Sequence, residues 1–287
     1  MKEFWEFMGL SGKRVAVVHH DDLGMFHAQN DAYRALPFAT GSILAPAPWV
    51  PDLIVNKKPD ADLGVHLTLN SEWSHCRIRP LTCGRSLRDE QGYLFKSLDE
   101  AWRSVRVEEA EAEFRAQIEQ VARLGVDVTH VDTHMGSIAR PDLAEVYLKL
   151  ACEYRLPALI LEDVENLAVP AEYKRSLKAL ANKVRMPRLR LAGVPYVNWD
   201  LEARWRAFRD FLLEAEPGVY HVVHHSCFFT DETRDLPDIG IREGDYKILT
   251  DREIRRILEE KWILITYREI RDAFRNFMGS EPWIAES

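Results

Sequence analysis

Short apolar runs alternate with longer amphipathic segments along most of the chain. The runs have five to seven residues, mostly aliphatic, which is typical of strands buried on both faces of a sheet. They predict strands over residues 14–18, 41–45, 63–67, 128–134, 156–161, 219–225 and 262–266. Between them, apolar positions three or four apart predict helices over residues 28–36, 97–125, 141–154, 171–182, 201–215 and 250–260, and a last helix from Arg268. This alternation predicts an α/β fold with parallel strands, either closed as a barrel or open and doubly wound.

Capping signals and turn residues set the ends of several predicted elements. Ser97 and Glu100 form a capping-box pattern at the start of the longest helix, and Thr250 with Glu253 forms a second one. Residues 70–96 are polar and rich in turn residues. A loop of this length inside a compact domain usually works as a lid or a binding loop, so we expect it to cover a site.

The size of the chain allows one large domain. Its 287 residues, 46% of them apolar, can bury a sizeable core. Residues 1–12 have Phe4, Trp5 and Met8 at helical spacing, which predicts an amphipathic N-terminal extension. That helix either lies on the body of the protein or forms a surface for a partner. We predict a single domain over residues 13–287.

Charge and cysteine content argue against several classes of partner. The 38 basic and 46 acidic side chains give a net charge of -8, so no general basic surface is present and we expect no nucleic-acid partner. Apolar runs are too short for a membrane span, and no apolar signal core follows a basic N-terminal flank. The four cysteines show no CxxC pairing. We therefore expect free thiols, no membrane partner and a cytoplasmic location.

Two histidines and two aspartates follow the first apolar run, in the order His19-His20-Asp21-Asp22-Leu23-Gly24. Two adjacent carboxylates raise one another's pKa unless a cation neutralises one of them. We therefore expect that one aspartate of the pair binds a cation and that the other acts as a base. The alternative is that Asp21 or Asp22 caps the helix that follows.

Most of the ten histidines lie at the carboxyl ends of predicted strands, namely His19, His20, His66, His130, His134, His221, His224 and His225. The carboxyl ends of parallel strands face a common site. Imidazoles and carboxylates are good ligands for zinc and similar ions, so the sequence predicts a metal centre at this rim. Along the fourth strand His130, Asp132 and His134 alternate onto one face. One histidine can then ligate while Asp132 orients it, and we place His130 with Asp132 behind the ligands.

Four motifs occur along the chain in a fixed order: Asp21-Asp22-Leu23-Gly24, Gly64-Val-His66-Leu67, Thr129-His130-Val-Asp132-Thr-His134, and His225 followed by an acidic turn. Together they resemble the YdjC-like carbohydrate deacetylases, which include the chitooligosaccharide deacetylases. The resemblance covers most of the chain and implies a distorted, TIM-barrel-like (β/α) barrel of about seven parallel strands. It also implies a metal-dependent hydrolase that removes acetyl groups from N-acetylated sugars.

Matching positions in these motifs imply a role for five residues. The resemblance implies a general base at Asp21, a general acid at His225, and metal ligands at Asp22, His66 and His134. We expect zinc or magnesium as the ion, with nickel, cobalt and manganese as alternatives.

Fewer residues indicate the substrate than indicate the metal centre. Trp49 and Trp73 fall in loops beside the predicted rim and would contact the apolar face of a sugar ring, although packing within the loops is the alternative. We expect a small-molecule or oligosaccharide substrate and leave a homodimer open. Two other functions stay open, a metal-dependent hydrolase of another amide or of an ester, and a catalytically inactive carbohydrate-binding barrel.

Overall fold

The computed structural model describes residues 2–165, 167, 169–195 and 200–284. Of the domain predicted over residues 13–287, residues 166, 168, 196–199 and 285–287 lie outside the described residues. The helices and strands of the fold lie within the described ranges.

Seven parallel strands form one curled sheet in the described residues. They are β1 (Arg14–Leu23), β2 (Thr40–Ile43), β3 (Asp62–Leu67), β4 (Val131–Thr133), β5 (Arg190–Gly193), β6 (Gly218–His224) and β7 (Ile263–Leu264). The order along the sheet is β4-β3-β2-β1-β6-β5, and β7 pairs with the start of β1. All of these pairings are parallel. The carboxyl ends of the strands therefore meet at one rim, and the predicted distorted (β/α) barrel is confirmed.

The barrel is only half-closed between its edge strands β4 and β5. Residues 157–162 lie in this gap and make two isolated bridges, from Val131 to Ala158 and from Leu161 to Leu189. The strand predicted over residues 156–161 is therefore wrong as a regular strand. Pro157 has no amide hydrogen to donate, and the segment pairs only at these two points among the described residues. The edge strand β5, which pairs with β6, lies in a stretch for which the sequence predicts no strand.

Helices cover the sheet and connect its strands. In the described residues they are α1 (Lys2–Phe7), α2 (His27–Ala35), α3 (Val50–Val55), α4 (Leu98–Ser104), α5 (Val107–Arg123), α6 (Pro141–Glu153), α7 (Ala171–Ala181), α8 (Leu201–Glu214), α9 (Ile239–Thr250), α10 (Arg252–Lys261) and α11 (Tyr267–Met278). Short 3-10 turns lie at Arg85–Leu87 and His134–Gly136.

Two predicted helix boundaries are wrong. The helix predicted over residues 97–125 is broken into α4 and α5, because the backbone is extended at Val105 and Arg106. The Arg106 amide donates instead to the Ser86 hydroxyl of the long loop at 2.9 Å. At α10 the cap is Asp251, whose side chain accepts from the amides of the first helical turn, and not Thr250.

The N-terminal segment packs on the body of the protein. Phe4 of α1 is fully buried, and its ring lies 5.2 Å from that of Phe274 and 5.6 Å from that of Phe277 on α11. Residues 2–12 therefore contribute to the hydrophobic core through Phe4 and Leu10. Among the described residues, no helix is both long and apolar enough to cross a lipid bilayer.

Candidate active site

A bulge at the end of β1 presents the aspartate pair. The strand runs to Leu23, and its register with β2 shifts between His20 and Leu23. Asp22 has a φ angle of 63°, in the left-handed region that a non-glycine residue adopts at an energetic cost. The strand predicted over residues 14–18 thus continues to Leu23 with a bulge, which directs the Asp21 and Asp22 carboxylates to different neighbours.

Neither aspartate caps the helix that follows. The residue before α2 is Phe26, which has extended backbone and makes no side-chain hydrogen bond to the helix. The side chains of Asp21 and Asp22 are 14% and 1% exposed, and both face histidines. The capping interpretation of the pair is therefore wrong.

Asp22 lies between two imidazoles. Its Oδ1 is 2.9 Å from Nδ1 of His134 and 3.4 Å from Nε2 of His66. All three residues are buried, and one potential ligand atom from each lies within 4.8 Å of the others. Asp22 Oδ1 makes no hydrogen bond to the described residues, although it is buried. Three potential ligand atoms thus converge, and no well-aligned hydrogen bond from the described part of the chain engages the carboxylate oxygen among them.

This arrangement, the Asp22 trio, fits a divalent cation. With metal–ligand bonds of about 2.1 Å, neighbouring ligand atoms lie roughly 3.0 Å apart in an octahedron and roughly 3.4 Å apart in a tetrahedron. The distances of 2.9 and 3.4 Å around Asp22 Oδ1 span that range. A carboxylate and two imidazoles also leave coordination positions for water or substrate. This donor set suits zinc, nickel, cobalt, manganese or, less readily, magnesium.

A carboxylate lies behind each of the two imidazoles. Nδ1 of His66 donates to Asp132 Oδ1 at 2.9 Å, and the Ser42 hydroxyl donates to Asp132 Oδ2 at 2.9 Å. Nε2 of His134 lies 2.9 Å from Oε2 of Glu72, a residue of the long loop. Such partners fix the tautomer and orientation of a ligating histidine and raise its basicity. The two rings are therefore held in place from behind, by different elements.

Neighbouring charges shift the pKa values of these groups. Burial alone would raise the pKa of Asp22, but His134 and His66 hold it well below its usual range. Burial alone would lower the pKa of His134, but Glu72 and Asp22 raise it to about 9. The pKa of His66 also lies well above its usual value, because Asp132 outweighs the effect of burial. The ion-free site therefore holds protons on its imidazoles, and a cation would compete with them.

Asp21 and His225 lie next to the Asp22 trio and line the same cavity. Oδ1 of Asp21 accepts from His19 Nδ1 at 2.7 Å, while its Oδ2 lies 3.8 Å from Nε2 of both His66 and His225. Burial would raise the pKa of Asp21, but His66 and His19 outweigh it and the pKa is lowered. Asp21 is therefore ionised at neutral pH. The His225 side chain is 21% exposed, and its backbone amide donates to Asp245 Oδ2 at 2.9 Å.

Further imidazoles form a layer deeper in the barrel. Nε2 of His19 lies 2.8 Å from Nε2 of His130, and the His130 ring stacks on Tyr267 with centroids 3.8 Å apart. His221 Nδ1 lies 3.0 Å from the Tyr267 hydroxyl. Burial lowers the pKa of His221 to about 3 and also lowers that of His130, so both rings are neutral at pH 7. His130 thus packs on His19 and Tyr267, one layer below the Asp22 trio.

The Asp22 trio lines a cavity of about 1170 Å³. Trp73 lines this cavity and stacks on the His134 ring, with centroids 5.1 Å apart and an interplanar angle of 22°. Trp49 is not among the described residues that line it, and its ring packs on His27 at 5.0 Å. Substrate contact by either tryptophan stays a prediction, and the position of Trp73 favours it more.

Two residues of the site carry no signal in the sequence. Glu72 lies 62 positions before His134, in the loop that we expect to cover a site. No spacing in the sequence distinguishes Glu72 from the other residues of that loop. Arg242 of α9 places a guanidinium nitrogen 3.2 Å from Asp22 Oδ2, across 220 positions, and also donates to Asp238 at 2.8 Å. The sequence predicts no helix where α9 lies, so its contact with Asp22 could not be anticipated.

The family model described as YdjC-like protein matches residues 15–260. The chain belongs to the YdjC-like protein family. A relative from Thermus thermophilus, named carbohydrate deacetylase, is 46% identical to this YdjC-like protein over 268 residues, which cover 93% of this chain and 98% of the relative. A second relative of that name, from Thermoanaerobacter pseudethanolicus, is 24% identical over 261 residues, which cover 87% of this chain and 96% of the relative.

A solved structure supports the fold of this YdjC-like protein. A crystal structure from Enterococcus faecalis, of a protein named for cellobiose-phosphate cleavage, superposes with a TM-score of 0.72. The two chains are 21% identical, and the match covers 90% of this chain and 98% of the other. At this identity the likeness concerns the fold alone.

Proposed function

We propose that this YdjC-like protein is a metal-dependent hydrolase that removes acetyl groups from N-acetylated sugars. The names of the relatives support the reaction. The mechanism is supported by Asp21 and Asp22, two adjacent carboxylates that contact different side chains. Asp22 faces two imidazoles, whereas Asp21 is held by His19 through one oxygen and has the other directed toward His66 and His225. That division is the observation on which the proposal rests.

Asp22, His66 and His134 would hold the cation. When bound, the cation would supply Lewis-acid polarisation of the acetyl carbonyl and of the attacking water. Asp132 and Glu72 keep the two imidazoles oriented toward it through the far ring nitrogens.

Asp21 is the proposed general base. It is ionised at neutral pH, and His19 fixes one oxygen while the other remains toward the cavity. Oδ2 accepts a proton from water as the water oxygen bonds to the acetyl carbon. The Asp21 carboxylate is thus held in place and ionised, as a general base must be before it accepts a proton.

His225 is the proposed general acid. Its Nε2 lies 3.8 Å from Asp21 Oδ2 and 4.0 Å from Asp22 Oδ2, so it lies beside both carboxylates. It donates a proton to the sugar nitrogen as the carbon–nitrogen bond breaks, which releases acetate and a free amine. A small-molecule or oligosaccharide substrate, a cytoplasmic location and a homodimer remain predictions.

Replacement of Asp21 by Asn tests the mechanism. Loss of the base should lower kcat for acetate release from methyl N-acetylglucosaminide by ~10²–10⁴-fold, while metal content stays that of the wild type. Asp60→Asn, a charge-matched change at an exposed residue, should leave both unchanged. Wild-type hydrolysis by the Asp21→Asn variant would remove Asp21 from its proposed role, and hydrolysis of esters but not of acetamides would favour a different substrate class.

A further inference from the structure

The cavity has two chemically different parts. One contains the Asp22 trio, Asp21 and His225. The other, which we call the apolar arm, has aliphatic walls formed by Ile138, Leu148, Leu159, Val164, Leu177 and Leu180. Leu148 belongs to α6, and Leu177 and Leu180 belong to α7. The arm is therefore lined by two helices and by the segments that follow β4 and α6.

The apolar arm begins beside the proposed metal ligands. The Leu159 amide donates to the Val131 carbonyl at 2.9 Å, next to Asp132 in the chain. Ile138 follows His134 by four residues and lies two positions after the end of the 3-10 turn. A ligand with its reacting group at the Asp22 trio can therefore extend into the arm without leaving the cavity.

Charged residues that also line the cavity have partners of their own. Lys178 bonds to Glu165, and Arg188 donates to Asn182 at 2.7 Å. Glu162 accepts from Arg190 at 2.6 Å. Lys178 and Glu162 are thus paired with opposite charges, and Arg188 also donates to the Ala181 carbonyl. The walls of the arm itself are aliphatic.

A second sugar residue is poorly suited to such walls. Sugar hydroxyls that lose water need hydrogen-bond partners, and aliphatic side chains provide none. The cavity volume of about 1170 Å³ also exceeds the roughly 300–1,000 Å³ typical of pockets for drug-sized ligands. The transfer of an apolar group from water into the arm is favourable in free energy.

We propose that the apolar arm binds an alkyl chain carried by the sugar of an amphiphilic N-acetylated glycoside. This rests on the proposed function, which puts the acetamide at the Asp22 trio. Because the acetyl group is short, the chain that fills the arm is attached elsewhere on the sugar. The substrate class is thus an N-acetylated glycolipid-like molecule, with its headgroup at the trio and its chain between α6 and α7.

The kinetic test compares methyl and octyl N-acetylglucosaminide below the micellar concentration of the octyl compound. The octyl glycoside should have a KM at least tenfold lower, since it differs by seven methylenes that leave water. In Leu177→Gln the advantage should shrink to less than threefold, because an amide would enter the arm. Val55→Gln changes an 81% exposed residue at the end of α3 and should keep the full advantage.

Three outcomes would overturn the proposal. Equal KM values for the two glycosides would show that the chain is not bound. An octyl advantage that survives in Leu177→Gln would place the chain outside the arm. A gain confined to N-octanoylglucosamine would show that the chain enters from the acyl side of the amide.

A binding measurement tests the apolar arm independently of whether the protein is a deacetylase. Octyl glucoside has no acetamide, so calorimetric titration detects the arm even if no glycoside is hydrolysed. Binding of octyl glucoside at least tenfold tighter than of methyl glucoside supports the arm whether or not the enzyme deacetylates. Equal or undetectable binding of both to the wild type overturns it, whatever the activity and whether or not the Leu177→Gln variant folds.

Discussion

The carboxylates behind the two proposed ligand histidines should differ in their effect on metal affinity. Asp132→Asn and Glu72→Gln each remove a charge while they preserve shape. Asp132 and Glu72 lie equally close to their imidazoles, at 2.9 Å. Their exposure differs, because the side chain of Asp132 is 2% exposed and that of Glu72 is 31% exposed. Water screens the second interaction far more than the first.

Loss of such a partner weakens metal binding by ~10–100-fold. We expect Asp132→Asn at the upper end, ~100-fold or about 2.7 kcal/mol, because its buried charge also accepts from Ser42. Glu72→Gln should lie near the lower end, ~10-fold or about 1.4 kcal/mol. The order of the two effects follows from burial and from the Ser42 hydrogen bond, since the distances to the two imidazoles are the same.

Calorimetric titration of the metal-free variants with Zn²⁺, in competition with a chelator, measures both dissociation constants. Glu90→Gln, an exposed residue of the same loop as Glu72, is the matched control and should bind as the wild type does. A loss for Glu72→Gln equal to or greater than that for Asp132→Asn would refute the reasoning from burial. No loss in either variant would refute the idea that these carboxylates support metal ligands.

Two predictions concern stability. The pKa of His134 is raised to about 9, against burial and chiefly by Glu72, so the folded ion-free protein binds this proton more tightly than the unfolded chain does. The stabilising contribution of this proton is full below about pH 6.5 and is lost as the pH rises toward 9. The Tm of the protein in EDTA should therefore fall over that interval. A Tm that rises with pH would contradict the predicted direction. Gly64→Ala would place a Cβ 2.4 Å from the His130 ring and should cost about 1–3 kcal/mol in urea unfolding. Gly240→Ala has no neighbour within 4 Å among the described residues and should cost nothing, so equal losses would contradict the steric explanation.

The sequence predicts the strands and helices whose buried residues form a pattern within the element itself. The apolar runs of β1, β2, β3, β4 and β6 and the helical spacing of α6 and α8 are visible in the sequence, because each buries a continuous face. The same alternation implies that residues at the carboxyl ends of β1, β3, β4 and β6 meet at one rim. Asp22, His66 and His134 do converge there, with ligand atoms within 4.8 Å.

The remaining features depend on contacts between distant residues. Residues 156–161 have a strand-like composition, yet only two bridges form within the described chain, whereas the less apolar β5 finds a full partner in β6. The left-handed backbone of Asp22 is set by the bulge against β2 and has no glycine to signal it. Glu72 and Arg242 reach the site from a loop and from an unpredicted helix, so no spacing in the sequence connects them with it.

Metal content is the most direct test of the central claim. The purified protein and its His66→Ala variant are analysed by elemental mass spectrometry after incubation with divalent ions, with His27→Ala as an imidazole control away from the Asp22 trio. We predict near-stoichiometric metal in the wild type and in His27→Ala, and loss of that metal in His66→Ala. Absence of metal from the wild type, or full metal content in His66→Ala, would contradict a metal centre at Asp22, His66 and His134.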